Sequence, residues 1–141
     1  MTDNRFLGTW KLVSWEMRDS ESNVIYPYGR DAIGFLIYAP DGYMSATLTK
    51  PNRPHFATQD TLGGTLEEQA LAAQTYLAYC GRYEIKEKSV LHCIETSLLP
   101  NWVGIVQERF YEFKDGRLSL STPPLLLKGK QQVAYLIWEH V

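Results

Sequence analysis

Apolar and polar side chains alternate with a period of two through most of this chain, and no other feature narrows the possible folds as far. Thr9–Met17, inside FLGTWKLVSWEM, sets Trp10, Leu12 and Ser14 on one face and Lys11 on the other. Such alternation marks strands with one buried and one solvated side. The same pattern predicts strands at Gly34–Ala39, Tyr43–Thr49, Arg82–Lys86, Ser89–Ser97, Trp102–Lys114, Arg117–Ser121 and Gln132–Glu139, with a short one at Asn23–Tyr26. Pro40-Asp41-Gly42 and Asp115-Gly116 are tight-turn sequences, because Pro presets φ and Gly accepts φ > 0. The reading gives eight strands, or nine with the short one, in meander order.

One segment departs from this period. Thr65-Leu66-Glu67-Glu68 is a capping box, with Thr at the N-cap and Glu three residues later. Leu66, Ala70, Ala73 and Leu77 then share a helical face, and Gly81 suits a C-terminal stop. The spacing predicts one helix over about 66–79, its apolar face packed on the sheet. The preceding Lys50–Gly64, with Pro51, Pro54 and Gly63-Gly64, reads as a long loop, and such loops are often functional lids.

A sheet of this size leaves exposed edges unless it closes, so the expected fold is all-β: a single closed antiparallel barrel carrying one helix. With 141 residues the chain suits one domain, residues 1–141. The net charge of -2, with both signs interspersed, excludes the basic footprint of a nucleic-acid binder. No apolar run reaches the ~20 residues needed to span a bilayer, and the opening MTDNRFLGTW lacks the pattern of a signal peptide. Cys80 and Cys93 make no disulfide framework and read as small buried hydrophobes, which suits a reducing cytoplasm.

Gly8-Thr9-Trp10 resembles the G-x-W signature of calycins, and FLGTWKLVSWE the opening strand of intracellular fatty-acid-binding proteins. Taken whole, the chain is most similar to the bacterial and fungal lipocalin-like domain family. The stretches GTWKLVSWE, GFLIYAPDGYMSA, YCGRYEI, LPNWVGIVQERFYEF, RLSLSTPP and LIWEHV carry that resemblance in order along nearly the whole sequence. It implies a barrel with Trp10 plugging its narrow end. Two departures are visible. A polar turn, Asp19–Ser22, stands where fatty-acid-binding proteins have a helical lid. Their Arg-x-Tyr carboxylate clamp is replaced by Leu136 and Trp138.

With charged positions taken as outward markers, the predicted lining is apolar with a few polar groups. It runs through Trp10, Leu12, Ser14 and Glu16; Met44, Ala46 and Leu48; Tyr83 and Ile85; Val90, His92 and Ile94; Val103, Ile105, Gln107, Arg109 and Tyr111; Leu118 and Leu120; and Ala134, Leu136 and Trp138. An apolar wall with sparse orienting groups is the composition of a small-molecule pocket. Ser14, Met44, Tyr83, Gln107, Arg109, Tyr111 and Trp138 are the candidate ligand contacts. Glu16, about 20 Å along the first strand at ~3.3 Å per residue, falls near the mouth. Duller roles stand beside these. Glu16 also fits a solvated rim, His92 a satisfied core histidine, Tyr83 and Tyr111 barrel packing. Arg109 fits the role the resemblance implies, a cation stacked on Trp10.

Three functions are compatible with this lining. The first is a carrier or sensor enclosing a small lipophilic or polycyclic molecule. The second is a cofactor-free isomerase or cyclase acting on a polyketide- or terpene-like substrate. There His92 or Glu16 would move a proton, and Arg109 or Gln107 would stabilise charge. The third is a filled barrel that meets a partner or a second copy, as a homodimer, through Tyr135 and Ile137. No G-x-S-x-G, P-loop or G-x-G-x-x-G is present, so no cofactor is expected. Metal ligation has little support, since His92 and Cys93 point to opposite faces and His55 and His140 stand alone.

Overall fold

The computed structural model describes residues 4–141, so the reading of the opening residues falls in part on 1–3, outside the described residues. The strands are β1 (Gly8–Asp19), β2 (Val24–Ile25), β3 (Ile33–Tyr38), β4 (Tyr43–Thr49), β5 (Tyr76–Ile85), β6 (Ser89–Ser97), β7 (Val106–Lys114), β8 (Arg117–Ser121), β9 (Leu125–Leu127) and β10 (Lys130–His140), with one α-helix, α1 (Leu66–Gln74). Their order is β2-β1-β3-β4-β5-β6-β7-β8-β10-β9, and β1 also pairs with β10. Eight antiparallel strands therefore close into the expected barrel, while β2 and β9 hang on β1 and β10. β9 is the strand that alternation missed. It is three residues long and follows Pro123-Pro124. Both tight turns form as expected. Gly42 has φ of +93°, and Asp115 and Gly116 have φ of +54° and +75°, the left-handed pair of a hairpin turn.

The first strand contains a bulge that reverses its later half. Leu12 pairs with Trp138 and Ser14 with Ile137, so Val13 is the extra residue. Trp15 and Met17 then face Leu136 and Ala134 and join the inward row. Ser14 and Glu16, expected inside, are turned out. Glu16 is bound instead to Arg18, whose guanidinium lies 4.3 Å from the centre of the Tyr135 ring. A single slip exchanges the two faces of a strand, and here it removes the carboxylate from the interior.

The helix is shorter than predicted. Its capping box is present: Glu68 N donates to Thr65 Oγ1 at 3.1 Å, and Thr65 N to Glu68 Oε1 at 2.8 Å. Its end falls at Thr75, whose hydroxyl donates back to Leu71 O at 2.8 Å. Arg53 Nη2 closes the same end by donating to Ala72 O at 2.9 Å. Tyr76–Tyr79 leave as strand because there Leu77 and Tyr79 pair with Leu48 and Ala46 of β4 and pack on the core. No residue of α1 is buried, which corrects the expectation that its apolar face packs on the barrel. Leu66 is 84% exposed. A helix held by caps rather than by burial belongs to the low-stability end of a fold. Among the described residues no helix is long and apolar enough to cross a membrane.

One further strand boundary moves. A 3-10 turn at Pro100–Trp102 precedes β7, so Val103 and Ile105 are exposed rather than inward. At the opposite end of the barrel an aromatic floor is complete. Phe6, 0% exposed, meets Tyr38, Tyr111 and Phe113 edge-on at 5.3, 4.9 and 5.0 Å. Such pairs add ~0.5–1.5 kcal/mol each beyond burial. Trp10 closes the floor as the resemblance implied, its Nε1 donating to Phe6 O at 2.9 Å.

Candidate functional site

Three strands bring the polar side chains of the interior together. β6 and β7 set His92 opposite Gln107 and Val90 opposite Arg109, while β5 sets Tyr83 opposite His92. His92 is 1% exposed and held at both nitrogens: Tyr38 Oη lies 2.7 Å from Nε2 and Tyr79 Oη 2.7 Å from Nδ1. Arg109, 6% exposed, donates from Nη1 to Gln107 Oε1 at 3.1 Å and to Glu108 O at 3.0 Å. The β4 and β8 walls flanking this cluster are apolar, with Met44, Ala46, Leu118 and Leu120 all buried.

Burial, then the charge of Arg109, pushes His92 down to about 3. The ring is therefore neutral at ordinary pH, with one nitrogen accepting and the other donating. One tyrosine hydroxyl gives its proton to the ring and the other receives one. Burial raises the Tyr79 hydroxyl, while the charge and hydrogen-bonding of Arg109 pull the other way. Arginine only donates, so this fits Tyr79 as the accepting partner, its own proton free to point into the interior. Tyr38 is raised well above the usual phenol range, first by burial.

The unfolded chain protonates this histidine near 6.5, whereas the folded chain resists until about 3. Between those values the unfolded state holds more protons, so stability is greatest above pH 6.5 and falls as the pH drops. The expected loss at His92 between pH 7 and pH 5 is about 2 kcal/mol. Denaturant titrations at both pH values should show that loss in the wild type and a flatter dependence in His92→Phe. An identical dependence in the two proteins would contradict the buried neutral ring.

Of the candidate contacts, Met44, Tyr83, Gln107, Arg109, Tyr111 and Trp138 face inward, and Ser14 does not. Tyr83 and Tyr111 spend their hydroxyls on structure, donating to Ala39 O at 2.8 Å and to Lys86 O at 2.9 Å. Trp10 stacks on His140, with ring centres 3.5 Å apart, while the hydrogen bonds of Arg109 run to Gln107, Glu108 and the Tyr79 hydroxyl. Of the two proposed proton carriers, His92 is inside and Glu16 outside. Sequence reasoning missed Tyr38, Tyr79 and Trp15. The row Gly34, Leu36, Tyr38 carried a signal for the first, and Tyr79 was hidden by the longer predicted helix.

Several inward residues are only half-buried, among them Trp15, Leu77, Tyr79 and Leu136. All four pack against the buried core. Two clefts lie away from the His92–Arg109 cluster. One of about 460 Å³ separates Pro54, His55 and Phe56 from Leu71 of α1, and one of about 410 Å³ is lined by Tyr43, Arg82, Cys93 and Val106.

A closed antiparallel barrel of eight strands, with an aromatic floor and a polar cluster in an apolar interior, defines the lipocalin-type class. The family model described as lipocalin-like domain matches residues 7–141, and the chain belongs to that family. It is 39% identical over 107 residues to the 4'-hydroxy-3'-methoxypropiophenone carrier protein ppsC of Aspergillus oryzae (strain ATCC 42149 / RIB 40), covering 70% of this chain and 96% of that protein. In fold it is similar to a lipocalin-like protein from Bacteroides uniformis ATCC 8492, with a TM-score of 0.50 and 13% identity over 97% of this chain and 99% of that one.

Proposed function

We propose that the barrel interior holds a small, mostly apolar aromatic molecule bearing oxygen and acts as a carrier. The observation that carries this reading is Arg109. It is 6% exposed and, among the described residues, has no carboxylate partner. A buried guanidinium without a counter-ion costs several kcal/mol, which an oxygen of a bound molecule would offset. Its neighbours Tyr79 and Gln107 supply orientation, and the apolar walls supply affinity. The relative whose name specifies an aryl ketone as cargo supports the same class of ligand.

The isomerase or cyclase reading loses support. A histidine at about 3 with both nitrogens engaged is a poor proton carrier near neutral pH, and Glu16 lies outside the barrel. Calorimetric titration with 4'-hydroxy-3'-methoxypropiophenone tests the carrier reading. Burial at ~25 cal/mol/Å² leads to an expected Kd on the order of micromolar at one site per chain, with displacement of a hydrophobic fluorophore. No heat and no displacement would sink the proposal.

A further inference from the structure

We propose that Trp15 and Trp138 form a second polar pole of the interior, so that the molecule held here carries acceptor oxygens at both ends and no basic nitrogen. This rests on the interior-binding reading above and adds a site to it. Both indole Nε1 atoms are buried and, among the described residues, have no hydrogen-bond partner. An indole N–H can only donate, and native folds rarely leave a buried donor unpaired. The fold satisfies the indole it uses for structure, since Trp10 Nε1 has Phe6 O. It leaves these two unsatisfied, although Trp138 is only 2% exposed.

Their placement follows from the register. Trp138 faces Leu12 and Trp15 faces Leu136 on adjacent strands, so both lie on the inner side of the β1–β10 wall. Trp15 is there only because of the bulge at Val13, and bulges recur where a side chain must be re-aimed for function. In the closed strand order, β1 and β10 stand across from β6 and β5. The two unpaired indole edges therefore oppose the wall that carries His92 and Tyr79.

Both poles offer donors. The cluster wall presents Arg109 and the Nε2 of Gln107, which has no acceptor among the described residues. The inward rows contain no carboxylate short of Asp19, whose oxygens are taken at the end of β1 by Glu21 N, Asn23 N and Asn23 Nδ2. A cationic ligand would meet Arg109 with nothing to balance it. A neutral aromatic with a carbonyl at one end and phenolic or ether oxygens at the other satisfies both walls. The carbonyl, as the stronger acceptor, goes to the charged donor, and the ring oxygens go to the indoles.

The test uses the ¹⁵N-labelled protein and three probes: 4'-hydroxy-3'-methoxypropiophenone, propiophenone, which lacks the ring oxygens, and the aminomethyl analogue of propiophenone. The first probe should move the Trp15 and Trp138 indole N–H signals downfield and leave Trp10 in place. Propiophenone should bind on the order of tenfold more weakly, without the downfield shift. The amine should not compete. Trp15→Phe and Trp138→Phe should each narrow the gap between the two ketones, to about threefold; if Trp138→Phe does not fold, Trp15→Phe and the wild-type titration decide. Equal wild-type affinity for both ketones, binding of the first with both indole signals unmoved, or effective competition by the amine would overturn the second pole while leaving the carrier reading intact. Failure of both ketones to bind would remove both.

Discussion

Gly81→Ala is expected to destabilise the fold by ~3 kcal/mol or more, a drop in Tm of about 10 °C for a chain of this size. A Cβ built on Gly81 would lie 1.9 Å from the carbonyl oxygen of Cys93 and 2.9 Å from the amide nitrogen of Glu95. Both neighbours are backbone, so no side-chain rotation relieves the overlap. The position coincides with a second bulge, where the β5–β6 register shifts between Cys80 and Gly81. To admit a methyl group, β5 and β6 must part, and with them the pairing of Tyr83 with His92. Gly42→Ala is the control. Gly42 has φ of +93° but no atom within 4 Å of an added Cβ, so only its left-handed backbone should matter, at about 1 kcal/mol. Denaturant unfolding compares the two. If Gly81→Ala unfolds within ~1 kcal/mol of wild type, the close approach of β5 to β6 is wrong.

Arg109→Met is expected to separate affinity from stability. Binding of the oxygenated aryl ketone should weaken by about 100-fold, the scale of a lost charge-assisted hydrogen bond. Stability should stay within ~1 kcal/mol of wild type or rise, because an apolar side chain of similar length replaces a buried, unbalanced charge. His92 should also titrate higher, since Arg109 is the second cause of its depression. Calorimetry, denaturant unfolding and the histidine ring signals read the three effects. A large loss of stability with unchanged affinity would mean that Arg109 is a packing residue.

The two bulges also explain how far the sequence could be read. Alternation, two turn sequences and a capping box are local signals, and each maps onto a feature of the barrel. A bulge leaves the local pattern almost intact. In WKLVSWEM both Ser14-Glu16 and Trp15-Met17 look like continuations, and only the change of apolar spacing from Trp10-Leu12 to Leu12-Trp15 marks the extra residue. Strict alternation turns Ser14 and Glu16 inward, whereas the bulge sets Trp15 and Met17 there. At Thr75 the competition was between helix and strand. Propensity favoured continuing the helix, whereas pairing with Ala46 and Leu48, some thirty residues earlier, favoured the strand, and long-range pairing is invisible to a short window. Likewise Tyr38 is legible as an inward residue, but its role is set by His92, 54 positions away.

Intermolecular nuclear Overhauser effects from bound 4'-hydroxy-3'-methoxypropiophenone to assigned methyl groups give the most direct test of interior binding. The expected contacts run to Leu36, Leu48, Leu77 and Leu120, whose side chains line the inside of the barrel. Contacts confined to Ile33, Ile37 and Val106 on its outer face would contradict the account.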